Sequence, residues 1–432
     1  MKRTVILVAA MLAVATPVAS QTPTVSKFDV AGIPVIFKPV RANDVVAVRL
    51  YLRGGSASLS PSNAGIEDLM FQAATRGTSR YDKDAFNAKL VETGTTINSG
   101  AEYDFSVFAL QAVKQHWNEA WDLFAEAALH PTYPAAEVDV VRAQLVDAAK
   151  RIPDDPDSYV TYLADSSLFA GHPYAARPTG TPASLASITR QALVDWHNRR
   201  FTKENLLLVV VGNVNRDDLT RKITASFGSL PARGGSAASP PALGTVSPDV
   251  VIVKRELPTN YILGLFAAPP PSSSDYAAMT VATDILSHRL FEEVRTKRNL
   301  SYAVFSGLDN RAANFGQLYV TAVDPDTTIK VMFAEVRRLQ REPLSQADLA
   351  EEVNTFLTQF WIQQQSNMGQ ARQLGLFELL GGGWHNLDRY AEAVRRVTPA
   401  DVQRVASQYL QHARFAVIGD EAKIGKPLFT SF

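Results

Sequence analysis

Apolar positions along the 432-residue chain fall into two successive series that resemble one another. Each opens with a pair of apolar runs, residues 35–38 and 45–52 in the first and 251–254 and 261–266 in the second. Runs of this length, rich in Val, Ile, Leu and Phe, predict buried strands. Each series continues with two strands around a polar turn, so residues 95–99 with 105–110, and 301–306 with 316–322, are expected to be hairpins. Helical spacing follows, as at Trp117, Trp121, Phe124 and Ala127. Both series close alike. A helix opened by Thr189 precedes an apolar strand at 205–212, and a helix opened by Thr398, with Pro399 in its first turn, precedes a strand at 415–419.

Between the two series, residues 230–248 are rich in Pro, Gly, Ser and Ala and carry no apolar period. That composition predicts a linker that buries too little surface to order itself. The expected architecture is α+β, with two related domains at 21–229 and 249–432. Each is a mostly antiparallel (mixed) sheet of about six strands with helices packed on one face.

At the N-terminus Lys2 and Arg3 precede an apolar run over residues 5–15, and small residues follow up to Ser20. The run is shorter than the roughly 20 residues a membrane span needs, so residues 1–20 read as a cleaved export signal and the mature chain as periplasmic. The sequence contains no cysteine, which excludes disulfides, a thiolate nucleophile and a lipid-modified cysteine. Lys plus Arg and Asp plus Glu both number 43, so no net field favours nucleic acid, and none is expected as a partner.

Residues 65–78 read Gly-Ile-Glu-Asp-Leu-Met-Phe-Gln-Ala-Ala-Thr-Arg-Gly-Thr. Further on come Pro-Asp-Asp-Pro-Asp at 153–157, Phe-Ala-Gly-His-Pro-Tyr at 169–174 and Gly-Thr-Pro at 180–182. This succession, with the ending at 205–214, resembles the pitrilysin (insulinase) family of inverted zinc metallopeptidases. It is most similar to the half-length members related to mitochondrial processing peptidase, which work as pairs of subunits. The resemblance spans essentially the whole mature chain.

Active members hold zinc with both His of H-x-x-E-H and a distal Glu, and the motif Glu serves as general base. In this chain the resemblance places Asp68, Phe71 and Gln72 on the three motif positions and Ala148, beside Asp147, on the distal one. A phenyl ring neither binds metal nor takes a proton, so no zinc is expected on this chain. Asp68 alone retains an oxygen suited to a metal. Nor do the histidines compensate, since no two stand at i,i+4. His116 with Glu119 and His288 with Glu292 each put a His and a carboxylate on one helical face, which we read as solvated faces. His172 is read as a packed or capping residue.

The family's other active-site element, an Arg and a Tyr seven residues apart, is present as Arg295 and Tyr302 within Val-Arg-Thr-Lys-Arg-Asn-Leu-Ser-Tyr-Ala-Val-Phe. The resemblance implies that the Tyr hydroxyl donates to the developing oxyanion and that the Arg orients the peptide backbone. Spacing alone favours Arg295 as a helix-terminal charge and Tyr302 as a strand aromatic, and it is the surrounding sequence that favours the active-site reading. The glycines at 381–383 are read as a helix stop, and the pairs Arg337-Arg338 and Arg395-Arg396 as solvated.

The expected function is that of a noncatalytic subunit of a heterodimeric periplasmic zinc peptidase. Arg295 and Tyr302 would act on peptides at the zinc of a homologous H-x-x-E-H partner. The alternative is a noncatalytic peptide-binding or scaffold protein of the same fold. The pseudo-symmetric surface is also compatible with a homodimer if no partner is present, which the sequence does not decide.

Overall fold

A computed structural model describes residues 24–235 and 239–432, so the expected export signal at 1–20 lies outside the described residues. The first sheet contains β1 (Ser26–Val30), β2 (Ile33–Pro39), β3 (Val45–Arg53), β4 (Thr96–Ala101), β5 (Phe105–Val113) and β6 (Leu206–Gly212), in the order β1-β2-β6-β3-β5-β4. The second contains β7 (Asp249–Lys254), β8 (Asn260–Ala267), β9 (Val304–Leu308), β10 (Phe315–Ala322) and β11 (Arg414–Gly419), in the order β7-β11-β8-β10-β9. With β1 set aside, the two orders are the same. The parallel pair also recurs, β2 with β6 and β7 with β11, while every other pairing is antiparallel.

The strand without a counterpart, β1, was not apparent in the sequence. Its Ser-Lys-Phe-Asp-Val alternates weakly, and it is held by a two-residue turn in which Ala31 and Gly32 both have positive φ, 54° and 90°. Such turns match the twist of adjoining strands.

Each sheet carries its own domain's helices on one face, and the opposite face is covered by a helix of the other half. In β6, Leu206, Leu208 and Val210 join the N-terminal core, whereas Leu207, Val209 and Val211 join the C-terminal one. Burial on both faces explains why that strand is apolar without alternation. The helix Asn367–Leu379 lies against β3 and β6, and the helix Pro156–Leu168 reciprocally lies against β8 and β11. Val160, Ala164 and Leu168 of the latter pack on Leu263, Leu265, Ala416 and Ile418. At the former contact Gly375 meets the Tyr51 ring, and a Cβ added there would stand 2.4 Å from the ring carbons.

The segment between the domains is less free than its composition suggests. It forms no helix or strand over its described residues, yet Arg200 and Asn205 donate to the Gly235 carbonyl at 3.1 Å. Glu204 accepts from the amides of Gly234 and Gly235, and the ring of His172 bonds the Pro241 carbonyl at 3.0 Å. Side chains of the first domain therefore hold the segment in place, and its Leu230, Leu243 and Val246 pack against the cores.

Candidate functional site

The helix Ile66–Ala74 carries the degenerate motif. It starts at Gly65, whose φ of 88° suits glycine, and a Cβ there would come within 2.9 Å of Gly180 and 2.7 Å of Leu185. Glycine at this flank is thus required by backbone conformation and packing.

Of the motif residues, Phe71 is 2% exposed and stacks on Phe108 with centroids 5.6 Å apart, while Phe201 approaches from another side at 5.9 Å. It has become part of the core. Gln72 donates from Nε2 to Asp68 Oδ1 at 2.8 Å, so the two remaining polar residues satisfy each other across one helical turn. Burial pushes the Asp68 carboxyl upward, and the Gln72 bond opposes the shift. A lone carboxylate resisting ionisation is a poor metal ligand. Ala148, on the helix Ala135–Arg151, is exposed, and Asp147 beside it pairs with Arg151 at 3.5 Å. No group of three or more His, Asp or Glu suited to a metal occurs among the described residues. These side chains do not fit a zinc ion.

Beside the motif is a polar network that the sequence reading missed. Glu67, 1% exposed, accepts from Ser106 Oγ at 2.6 Å and Trp196 Nε1 at 3.2 Å and lies 3.9 Å from Arg200. Burial drives its carboxyl upward against those three partners. Arg200 also donates to the carbonyls of Arg53 and Gly235. The network ties helix, sheet and interdomain segment together. Its one sequence signal is a Glu beside Asp68 on a short helix whose other residues, Gln72 apart, are apolar.

The look-alikes resolve simply. His172 accepts from the Tyr174 amide and caps the turn that follows. Its role is structural, as expected. His288 bonds Glu352 at 2.7 Å on another helix instead of Glu292. The glycines at 381–383 separate two helices, with φ of 74° at Gly382 and 123° at Gly383.

Arg295 and Tyr302 come together. The helix Tyr276–Leu290 widens to π geometry over Phe291–Thr296, and Asn299 reverses the chain at φ 50° before β9. This local path puts the Arg295 guanidinium between two rings, 4.7 Å from the Phe291 centroid and 4.4 Å from that of Tyr302. Tyr302 is 80% exposed. Neither side chain forms a hydrogen bond or ion pair among the described residues. The surface offers a fixed cation and a phenolic donor with free polar ends. The element sits beside β9, an edge strand, just as the motif helix sits beside the edge strand β4 of the first sheet.

Residues 35–181 match the family described as Insulinase (Peptidase family M16), and residues 187–356 match the Peptidase M16 inactive domain. An uncharacterized zinc protease of Mycobacterium leprae is 26% identical over 399 residues, covering 88% of this chain and 87% of its own. Among solved structures, the peptidase M16 inactive domain from Pseudomonas fluorescens matches with a TM-score of 0.85 at 21% identity, over 92% of this chain and 98% of that one. The periplasmic protease PqqL from Escherichia coli matches with a TM-score of 0.75 at 16% identity, over 97% of this chain but 49% of that one. With two adjoining family matches and a repeated sheet topology, the chain belongs to the pitrilysin, or insulinase, family of metallopeptidases.

Proposed function

We propose that this protein is the noncatalytic subunit of a heterodimeric, periplasmic zinc peptidase. It would present Arg295 and Tyr302 to the active site of a homologous partner that carries H-x-x-E-H. The observation that carries the reading is the pairing of a lost metal site with a preserved, unpartnered Arg–Tyr pair. In the mechanism, the partner's zinc would activate water and polarise the scissile carbonyl. The Tyr302 hydroxyl would donate to that carbonyl oxygen as negative charge develops, and the Arg295 guanidinium would hold neighbouring carbonyls in register. Stacking between Phe291 and Tyr302 limits the rotamer freedom that Arg295 must give up on binding substrate.

The similarity of this chain to one half of the length of PqqL supports a working unit built from two such halves. A noncatalytic peptide-binding scaffold is the second reading, favoured by the loss of the metal ligands. Assay of the chain alone and after mixing with an H-x-x-E-H homologue separates the two. The subunit reading expects hydrolysis of an unstructured peptide to appear on mixing and to saturate at one partner per chain; hydrolysis by the partner at the same rate without this chain would reject it.

A further inference from the structure

The seam between the two halves holds a cavity of about 300 Å³. Arg53 at the end of β3 lines it, with Asp104 in the turn between β4 and β5 and Glu204 just ahead of β6. The apolar side of the lining comes from Pro240 of the interdomain segment and from Leu379 and Leu380, where the helix lying against β3 and β6 ends. Ligand sites run from roughly 300 to 1,000 Å³, so this one suits a small guest.

Most charges around the seam are matched. Asp104 accepts from the Tyr174 hydroxyl on Oδ1 and from the Ala312 amide at 3.0 Å on Oδ2. Glu378, the carboxylate whose charge acts on Arg53, is taken by Lys27 at 2.5 Å and by the Trp384 amide at 3.1 Å. Two polar ends are left over. The Arg53 guanidinium is partly buried, and it makes no hydrogen bond or ion pair among the described residues. Glu204 uses only Oε1, on the amides of Gly234 and Gly235, and Oε2 stays unbonded among the described residues. A cation withdrawn from water without a partner is costly, which favours an anion beside Arg53. Two carboxylates on the same lining oppose a simple anion, and Arg53 opposes a simple cation. A guest carrying both charges meets neither objection.

We propose that this cavity binds a small apolar α-amino acid, with its carboxylate on the Arg53 guanidinium, its ammonium on Glu204 Oε2 and its side chain against Pro240, Leu379 and Leu380. The planar fork of Arg53 matches a carboxylate with two parallel bonds. A few placed polar groups among apolar walls is the usual make-up of a small-molecule site. A guest in this position touches both halves and the segment between them, so its binding holds the seam together. The proposal goes beyond the subunit reading and uses neither Arg295 and Tyr302 nor a zinc-bearing partner.

The test is isothermal titration calorimetry of the purified chain with L-leucine, valine and methionine, backed by the rise in melting temperature that each produces. At least one of the three should bind and raise the melting temperature. Leucinamide lacks the carboxylate, 4-methylpentanoate lacks the ammonium and lysine puts a charge on the apolar wall; each should bind at least tenfold more weakly than leucine. Arg53→Gln and Glu204→Gln, checked for an unchanged fold by circular dichroism, should each weaken leucine binding by a similar factor. The analogues decide the matter on the parent chain even where a variant fails to fold. Absence of both heat and a melting shift with all three amino acids would overturn the assignment. So would 4-methylpentanoate or leucinamide binding as tightly as leucine, or leucine affinity unchanged in both variants.

Discussion

The guanidinium of Arg295 lies 4.4 Å from the ring centroid of Tyr302, and neither residue has a polar partner elsewhere among the described residues. Two groups with free donors, fixed face to ring on a protein surface, are arranged to meet something outside the chain. Removing a hydrogen-bond donor aimed at a developing oxyanion typically costs 10²–10³ in turnover. Tyr302→Phe keeps the ring under Arg295 and deletes only the hydroxyl. In an active mixture with a zinc-bearing partner it should lower kcat by about that factor with little change in KM.

Lysine at position 295 distinguishes positioning from charge. It retains the cation and loses the planar fork that lies between Phe291 and Tyr302. In the same mixture, Arg295→Lys should raise KM by roughly tenfold, about 1.4 kcal/mol of binding, while Arg295→Ala should be worse in both parameters. Steady-state kinetics at saturating partner provides the comparison.

The vacated metal site has been rebuilt as core, which makes its reversal unfavourable. Phe71 stacks on Phe108 and meets the tilted ring of Phe201, and truncation of a buried Phe typically costs about 3–5 kcal/mol. Phe71→Ala should destabilise by that order in urea unfolding. Restoring the motif with Asp68→His, Phe71→Glu and Gln72→His should be destabilising too, since it places a carboxylate in the same aromatic stack. Elemental analysis of the parent chain after dialysis should find well under one zinc per molecule.

Much of this was legible in the sequence. The doubled order of strands, the Thr caps at Thr189 and Thr398 and the loss of ligands at Asp68, Phe71 and Gln72 are local patterns, and short-range physics writes them directly. Less legible were features set by distant contacts. Nothing in the Pro156–Leu168 run shows that it covers the other domain's sheet, because its buried stripe looks the same whichever sheet it meets. The pairing of Glu67 with Ser106, Trp196 and Arg200 joins positions distant in the chain, 129 residues apart for Trp196 and further for Arg200. Nor does the sequence show that Gly375 is needed for the approach of Tyr51.

That approach gives a prediction whose sign runs against helix propensity. Gly to Ala inside a helix ordinarily gains about 1 kcal/mol. Here the new methyl would stand 2.4 Å from the Tyr51 ring, at the contact between the halves. Gly375→Ala should therefore lower the melting temperature, and pairing it with Tyr51→Phe should restore little, because the clash is with the ring as well as the hydroxyl.

Asp284 gives a pH dependence. Its folded carboxyl is raised from 3.8 to about 7 by burial first and by Glu352 second. The folded state then holds a proton that the unfolded chain has released, so this group makes stability fall as pH rises between the two values, with no further change above about 7. Asp284→Asn should melt at a higher temperature than the parent at pH 8, and the difference should close as pH approaches 4. Scanning calorimetry at the two pH values provides the check.

The most direct measurement of the central claim is peptide turnover by an equimolar mixture of this chain and a zinc-bearing homologue, comparing the parent with Arg295→Ala/Tyr302→Phe. Size-exclusion chromatography should confirm equal assembly in both cases. The account predicts that the double variant assembles normally and loses at least about a hundredfold in turnover. Equal turnover by parent and double variant would contradict it, leaving the chain as a scaffold of the peptidase fold.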